Sequence, residues 1–168
     1  MYRVGETVVY GTEGVCRIAE TQEMKVGGKK QTYYVLKPVH REGATVFVPM
    51  ENEQLLSKMR RVLSAQEVDA ILCSAADEEL PWIDDPNERK QEYAKILTCG
   101  DRRNLVLLIR TLYLRRQELR AVGKHLRTGD DQLLRDAEKL LNDELALVLD
   151  IPQREVPDYI RSRIEAIA

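Results

Sequence analysis

In the stretch ATVFVPMENEQLLSKMRRVLSAQEVDAILCSA (residues 44–75), hydrophobic residues first recur at every second position and later at helical spacing. This change divides the chain into two parts. The first part of the stretch, ATVFVP, alternates in the way that strands do, and Pro49 ends that pattern. From Ser64 the order Ser-Ala-Gln-Glu matches a capping box, and the residues after it follow helical spacing. We therefore predict β structure before this stretch and α structure after it.

Three more strands are predicted before residue 44, and glycine-containing turns separate them. Their sequences are ETVVY, VCRIAETQEM and QTYYVLKPV, and the turns between them are GTEG and VGGKK, with REG before the fourth strand. Short strands rich in β-branched and aromatic residues favour a small antiparallel barrel or a strongly bent sheet.

The residues after the linker around 74–86 are predicted to form a compact bundle of four helices with short connections. The four helices are expected at residues 86–99, 101–123, 128–149 and from Pro157 onward. Asp85 suits the N-cap of the first of them, and Gly100 suits its end. The fold class is thus α+β, with a β domain at 1–60, a helix and linker at 61–81 and a helical domain at 82–168.

Converging catalytic or metal-binding residues are not evident. The two histidines, His40 and His125, lie in predicted turns without a hydrolase or metalloprotease motif. The cysteines Cys16, Cys73 and Cys99 have no CxxC spacing, so neither a disulfide framework nor a zinc site is indicated. We expect no catalytic residues, metal, cofactor or small-molecule substrate. An enzyme whose site the sequence does not reveal stays open as an alternative.

Hydropathy argues against membrane contact. No apolar run approaches the roughly 18 residues that span a bilayer, and the opening residues lack a signal-peptide pattern. The expected location is therefore the cytoplasm.

Charge is unevenly distributed, although the formal net charge is only −2. Residues 102–127 contain eight basic residues and one acidic residue, Glu118. Arg116, Arg120 and Lys124 step by four, which predicts a basic flank along one helix, and Arg127 follows them. A solvated surface that keeps the protein soluble would explain this pattern, but the scarcity of acids favours an anionic partner such as a phosphate backbone.

The only tryptophan, Trp82, lies in EELPWIDDPNERK (residues 78–90), where the linker meets the helical domain. Two interpretations remain open. The indole could anchor the linker on the helical bundle, or it could be exposed and wedge against a nucleic-acid base.

The order of several motifs resembles that of the CarD/CdnL family of bacterial transcription regulators. These motifs are VGETVVYGTEGV, YYVLK, ATVFVPM, LPW, a tyrosine-containing helix ending CGD, LIRTLYLRR and DAEKLLNDEL. The N-terminal part is also similar to the polymerase-interacting module of the transcription-repair coupling factor. This resemblance implies an N-terminal Tudor-like or SH3-like barrel that binds the β subunit of RNA polymerase. It further implies a C-terminal helical domain that contacts promoter DNA and stabilises the open complex.

The resemblance also assigns residues. Trp82 would be the minor-groove wedge, and the further DNA-binding residues would be Arg89, Lys90, Arg116, Arg120, Lys124 and Arg127. The polymerase contacts would be Thr21, Glu23, Met24, Lys25, Thr45 and Phe47, on strands whose free edges suit main-chain pairing. DNA binding is expected to be largely independent of sequence, because no helix presents a set of base-reading side chains. The alternative is a protein-protein adaptor that makes no direct DNA contact.

Overall fold

A computed structural model describes residues 2–99 and 101–167, with side chains as far as Arg163. The chain divides into two compact units, Met1–Val62 and Leu63–Ala168, and each is described separately. The first is a β unit and the second a helical unit, so the predicted fold class is confirmed. In the part of the chain that the structure describes, no helix has both the length and the apolar character to cross a membrane.

The β unit is an antiparallel sheet in the order β4-β3-β2-β1-β5. The strands are β1 (Thr7–Tyr10), β2 (Gly14–Val26), β3 (Lys29–Pro38), β4 (Val46–Pro49) and β5 (Met59–Arg61). A short helix, α1 (Glu53–Leu56), connects the last two strands, and a 3-10 turn (Gly11–Glu13) connects the first two. The sequence predicted four strands, and β5 is the addition: it pairs with β1 within the segment expected only to lead out of the domain.

One face of this sheet carries the core of the β unit. Its buried residues are Val8, Cys16, Ile18, Tyr34, Leu36, Val48 and Met59. Between β2 and β3, Gly27 and Gly28 both have positive φ, 61° and 82°, as a two-residue type I′ hairpin turn requires. The VGGKK motif is thus a hairpin turn.

In its described residues, the helical unit contains five α-helices around one core, with a 3-10 turn (Gln153–Glu155) before the last of them. They are α2 (Ala65–Ala75), α3 (Pro86–Cys99), α4 (Arg102–Ala121), α5 (Thr128–Leu149) and α6 (Val156–Ile167). The predicted capping box of Ser64 and Glu67 is present at the start of α2. Segment 61–81, expected to be a helix and linker, contributes Val68, Leu72 and Ala75 to this core. Gly100, expected to end α3, lies outside the described residues.

The long helix α4 ends at Ala121, two residues before the predicted end. Gly123, at φ 75°, donates its N–H to the Arg120 carbonyl, and Lys124 donates to the Leu119 carbonyl. This pair of bonds is a Schellman motif, which leaves Lys124 outside the helix. The sequence predicted that Arg116, Arg120 and Lys124 would lie along one helix, and this prediction is wrong for Lys124.

Candidate functional site

The loop that carries Trp82 is held on both sides of the indole. The Leu80 N–H donates to Thr111 Oγ1 of α4 at 2.9 Å. Tyr93 of α3 donates its hydroxyl to the Pro81 carbonyl at 3.0 Å, and Arg89, one turn earlier, donates from Nη1 to the Ile83 carbonyl at 2.7 Å. The carbonyls immediately before and after Trp82 are thus both bound by side chains of α3.

The indole of Trp82 is partly exposed and packs against the helical core. Tyr93 meets it edge-on, with ring centroids 6.4 Å apart. The guanidinium carbon of Arg89 lies 4.4 Å from the ring centroid, and that of Arg115 lies 5.0 Å from it. The two interpretations of Trp82 therefore combine, because the indole is anchored and still reaches the surface.

Arg89 is buried, with 3% of its surface exposed. Its Nε and Nη2 donate to the two carboxylate oxygens of Asp130 at 2.9 and 2.7 Å. The hydrogen bond with Asp130 raises the pKa of Arg89 above its usual value, so the guanidinium stays charged. A side chain so enclosed does not fit the expected phosphate contact, and Lys90 beside it is the exposed member of the pair.

Three arginines of the basic segment bind partners inside the helical unit. Arg102 is buried and pairs with Glu144, Nε to Oε1, at 2.5 Å. Arg103 contacts Glu78 at 2.6 Å, and Arg110 donates to the Glu78 carbonyl at 3.0 Å. These residues explain part of the local excess of positive charge without an external partner.

Arg115 and Arg116 leave α4 in different directions, since neighbouring helical residues are about 100° apart. Arg115 is 43% exposed at its side chain, pairs with Glu118 at 3.3 Å and reaches Trp82. Arg116 instead lies over the exposed ring of Tyr113, 5.3 Å from its centroid.

The charge of Arg116 also affects a carboxyl group of α5, that of Glu138. Burial raises the pKa of the Glu138 carboxyl, and the positive charge of Arg116 opposes that rise. Arg120 follows Arg116 by one turn, and the exposed basic residues beyond the helix are Lys124 and Arg127. Within residues 2–99 and 101–163, Arg120, Lys124 and Arg127 take part in no ion pair.

The structure thus brings Trp82 together with Arg89 and Arg115, whereas Arg116 and Arg120 lie on another part of α4. Sequence reasoning missed Arg115, because it falls outside the four-residue step that singled out its neighbours. It also missed Thr111, which binds the loop at Leu80, and Asp130, which binds Arg89. Asp130 lies in the first turn of a helix, where the helix dipole alone accounts for an acidic residue, and only its burial reveals the pairing.

In the β unit, the predicted polymerase contacts lie on two edges. Residues 20–26 of β2 pair with β3, whereas the pairing of β1 with β2 stops at Arg17. Strand β4 pairs with the opposite side of β3. Thr45 is exposed immediately before β4, and Phe47 within it is 45% exposed.

The same contacts also divide between the two faces of the sheet, because directly opposed residues share a face. Met24 opposes Gln31 and Phe47 opposes Val35, so both belong to the face of the odd-numbered β3 residues. Thr21, Glu23 and Lys25 lie on the other face of the sheet, because they oppose even-numbered residues of β3. Their respective partners are Tyr34, Thr32 and Lys30. One flat partner surface would not meet all six residues.

Two family models match this chain. Residues 2–63 match the CarD-like/TRCF RID domain, and residues 67–161 match the CarD, C-terminal domain. The first match spans the β unit, and the second spans most of the helical unit, including the Trp82 loop and α3 to α5.

Proposed function

The chain belongs to the CarD family, and from this we propose that it binds the polymerase β subunit through its β unit and promoter DNA through its helical unit. The resemblance seen in the sequence is confirmed, and the chain is a transcription regulator that interacts with RNA polymerase. CarD proteins are non-enzymatic transcription factors. The finer proposal concerns the β subunit, the DNA contact and stabilisation of the open complex.

The observation that carries the DNA proposal is the partly exposed indole of Trp82 on a loop held at both neighbouring carbonyls. A wedge that enters between bases must resist displacement, since unstacking a base step costs a few kcal/mol. Fixing the loop before binding lowers the entropy lost when DNA arrives. The held loop therefore supports Trp82 as a wedge rather than as a linker anchor alone.

Phosphate contacts are proposed for six basic residues of the helical unit that are exposed or partly exposed. They are Lys90, Arg115, Arg116, Arg120, Lys124 and Arg127, of which Arg115 is closest to the indole. Such contacts are independent of sequence and weaken as salt rises. Tethering to polymerase raises the local concentration of the helical unit at the promoter, so weak contacts suffice. This explains a DNA role without a base-reading helix.

The polymerase contact is proposed for the free edge of β4. An unpaired edge strand offers main-chain donors and acceptors to a partner strand, and Phe47 adds an exposed apolar side chain there. The β2 edge near Thr21 to Lys25 is a second unpaired edge, and contacts there would belong to a different part of the partner.

DNA with a fork, in which a duplex opens into unpaired bases, tests the wedge. We expect Trp82→Ala to weaken binding to forked DNA by roughly five- to a hundredfold, since base-aromatic stacking contributes about 1 to 3 kcal/mol. Binding to a fully paired duplex should change much less. Fluorescence anisotropy at several salt concentrations measures both.

The comparison variant is Tyr113→Ala, which removes another exposed aromatic ring from the same unit. Because Arg116 lies over that ring, this variant should weaken binding to forked and fully paired DNA alike. An equal fork-specific loss for both variants would contradict the wedge. No binding of the native chain to either DNA would favour the protein-protein adaptor.

A further inference from the structure

We propose that Arg89 and Asp130 form a buried lock that orients Trp82, so that Arg89 acts on DNA through the indole and not by contact. The inference rests on the proposed function for its effect on DNA. The lock itself is a property of the free protein.

Arg89 makes three kinds of contact with one guanidinium group. Nε and Nη2 bind the carboxylate of Asp130, Nη1 binds the Ile83 carbonyl, and the planar group lies 4.4 Å from the Trp82 ring centroid. The planar fork of arginine suits this combination, because its donors point in fixed directions. A lysine could not make all three contacts at once.

Asp130 fixes the guanidinium from the other side. Both of its carboxylate oxygens accept from Arg89, and it is 5% exposed. It lies in the first turn of α5, whereas Arg89 lies in α3, so the pair ties the loop and indole to two helices. The ring orientation of Trp82 therefore depends on a residue 41 positions away from Arg89.

Arg115 provides a useful contrast on the exposed side of the same ring. Its side chain is 43% exposed, and its ion pair with Glu118 is a surface contact within one helix. Such a side chain can turn toward a phosphate without breaking the helical core. Of the two arginines beside the indole, Arg89 is the positioning residue and Arg115 is the one placed to bind DNA.

The competing explanation is an ion pair that only stabilises the fold. An apolar replacement of both partners separates the two roles, because well-packed hydrophobic residues often replace a buried ion pair without loss of stability. The key variant is therefore Arg89→Met combined with Asp130→Leu, compared with each single substitution and with Asp131→Asn. Asp131 is the neighbouring carboxylate, which pairs with Arg135 within α5.

Three measurements are made on each full-length variant. They are the midpoint of thermal unfolding, acrylamide quenching of the single tryptophan and affinity for forked DNA. We expect each single substitution to lower the midpoint of thermal unfolding, and the double variant to have a midpoint close to the native one. Its quenching constant should still rise. Its affinity for forked DNA should fall by about three- to tenfold, because the indole must then be oriented when DNA binds, at a cost comparable to that of one cation-π contact.

Native quenching in the stable double variant would overturn the lock, because the pair would then only stabilise the bundle. Arg89→Lys provides a second test if the double variant does not fold. This variant keeps the charge but not the fork, so quenching should rise in its folded state, and native quenching would likewise overturn the lock. Asp131→Asn should leave quenching and DNA affinity unchanged.

The lock and the proposed function can fail separately. Raised quenching in the double variant, with native DNA affinity both in that variant and in Trp82→Ala, would retain the lock and contradict the wedge. Native quenching in the double variant, with weak binding of forked DNA by Trp82→Ala, would retain the wedge and contradict the lock.

Discussion

The buried ion pair between Arg102 and Glu144 should be the most sensitive single point in the helical unit. Glu144 is fully buried and Arg102 is 3% exposed, and their Nε and Oε1 atoms lie 2.5 Å apart. The second carboxylate oxygen of Glu144 accepts from the Leu63 N–H at 3.0 Å, at the start of this unit. Glu144→Gln keeps the shape of the side chain and removes its charge.

Removing one partner of a buried pair typically costs about 3 to 5 kcal/mol, because the remaining charge is still desolvated. The volume is conserved, so almost none of this loss comes from a cavity. A slope near 2 kcal/mol per molar urea converts it into a fall of roughly 1.5 to 2.5 M in the unfolding midpoint. Fluorescence of Trp82, which lies in the same unit, follows the transition directly.

The control is Glu92→Gln, which breaks an exposed pair with Lys95 on α3. Such surface pairs contribute about 0.5 kcal/mol or less, so the control midpoint should stay close to the native one. A loss below about 1 kcal/mol for Glu144→Gln would show that the buried pair does not hold the unit together, and the reasoning would fail.

Three other predictions concern separate parts of the molecule. Gly123→Ala should cost about 1 kcal/mol in urea unfolding, because φ is 75° there while no atom lies within 4 Å of an added Cβ; an unchanged midpoint would contradict this. The hydrogen bond from Arg163 lowers the pKa of Asp69, so this α2-α6 contact should stabilise fully above the ordinary aspartate pKa near 3.9 and disappear as pH falls through the lowered value. The thermal midpoints of native protein and Asp69→Asn should therefore differ at neutral pH and converge in acid; a gap that persists in acid would refute it. Phe47→Ser should weaken polymerase binding about fivefold or more in surface plasmon resonance, whereas Val26→Ser, at an exposed apolar residue of the far hairpin end, should not; equal effects would show that the contact is not at the β4 edge.

Local patterns predicted most of the fold. The period-two runs placed the first four strands, and the Ser64 capping box placed the start of the helical unit. Strand β5 was not predictable in the same way, because it has only three residues and two of them are arginines. It forms because β1 offers a free edge, and that is a tertiary effect.

The candidate site was less predictable, because its contacts join residues far apart in sequence. Arg89 was expected at the surface, where arginines usually lie, and its burial depends on Asp130 in another helix. Lys124 was expected on the helix by continuing a four-residue step, although Gly123 was a local signal for the helix end. Trp82 was recognised from its motif, but its contacts with Arg89 and Arg115 required the structure.

The lifetime of the open promoter complex tests the central claim most directly. Complexes of promoter DNA and cognate RNA polymerase are formed with no regulator, with the native chain or with Trp82→Ala, and their decay is followed after a competitor is added. The native chain should lengthen the lifetime, and Trp82→Ala should lose most of that gain while still binding polymerase. A lifetime that the native chain does not lengthen would contradict the claim, and full lengthening by Trp82→Ala would exclude the indole as its cause.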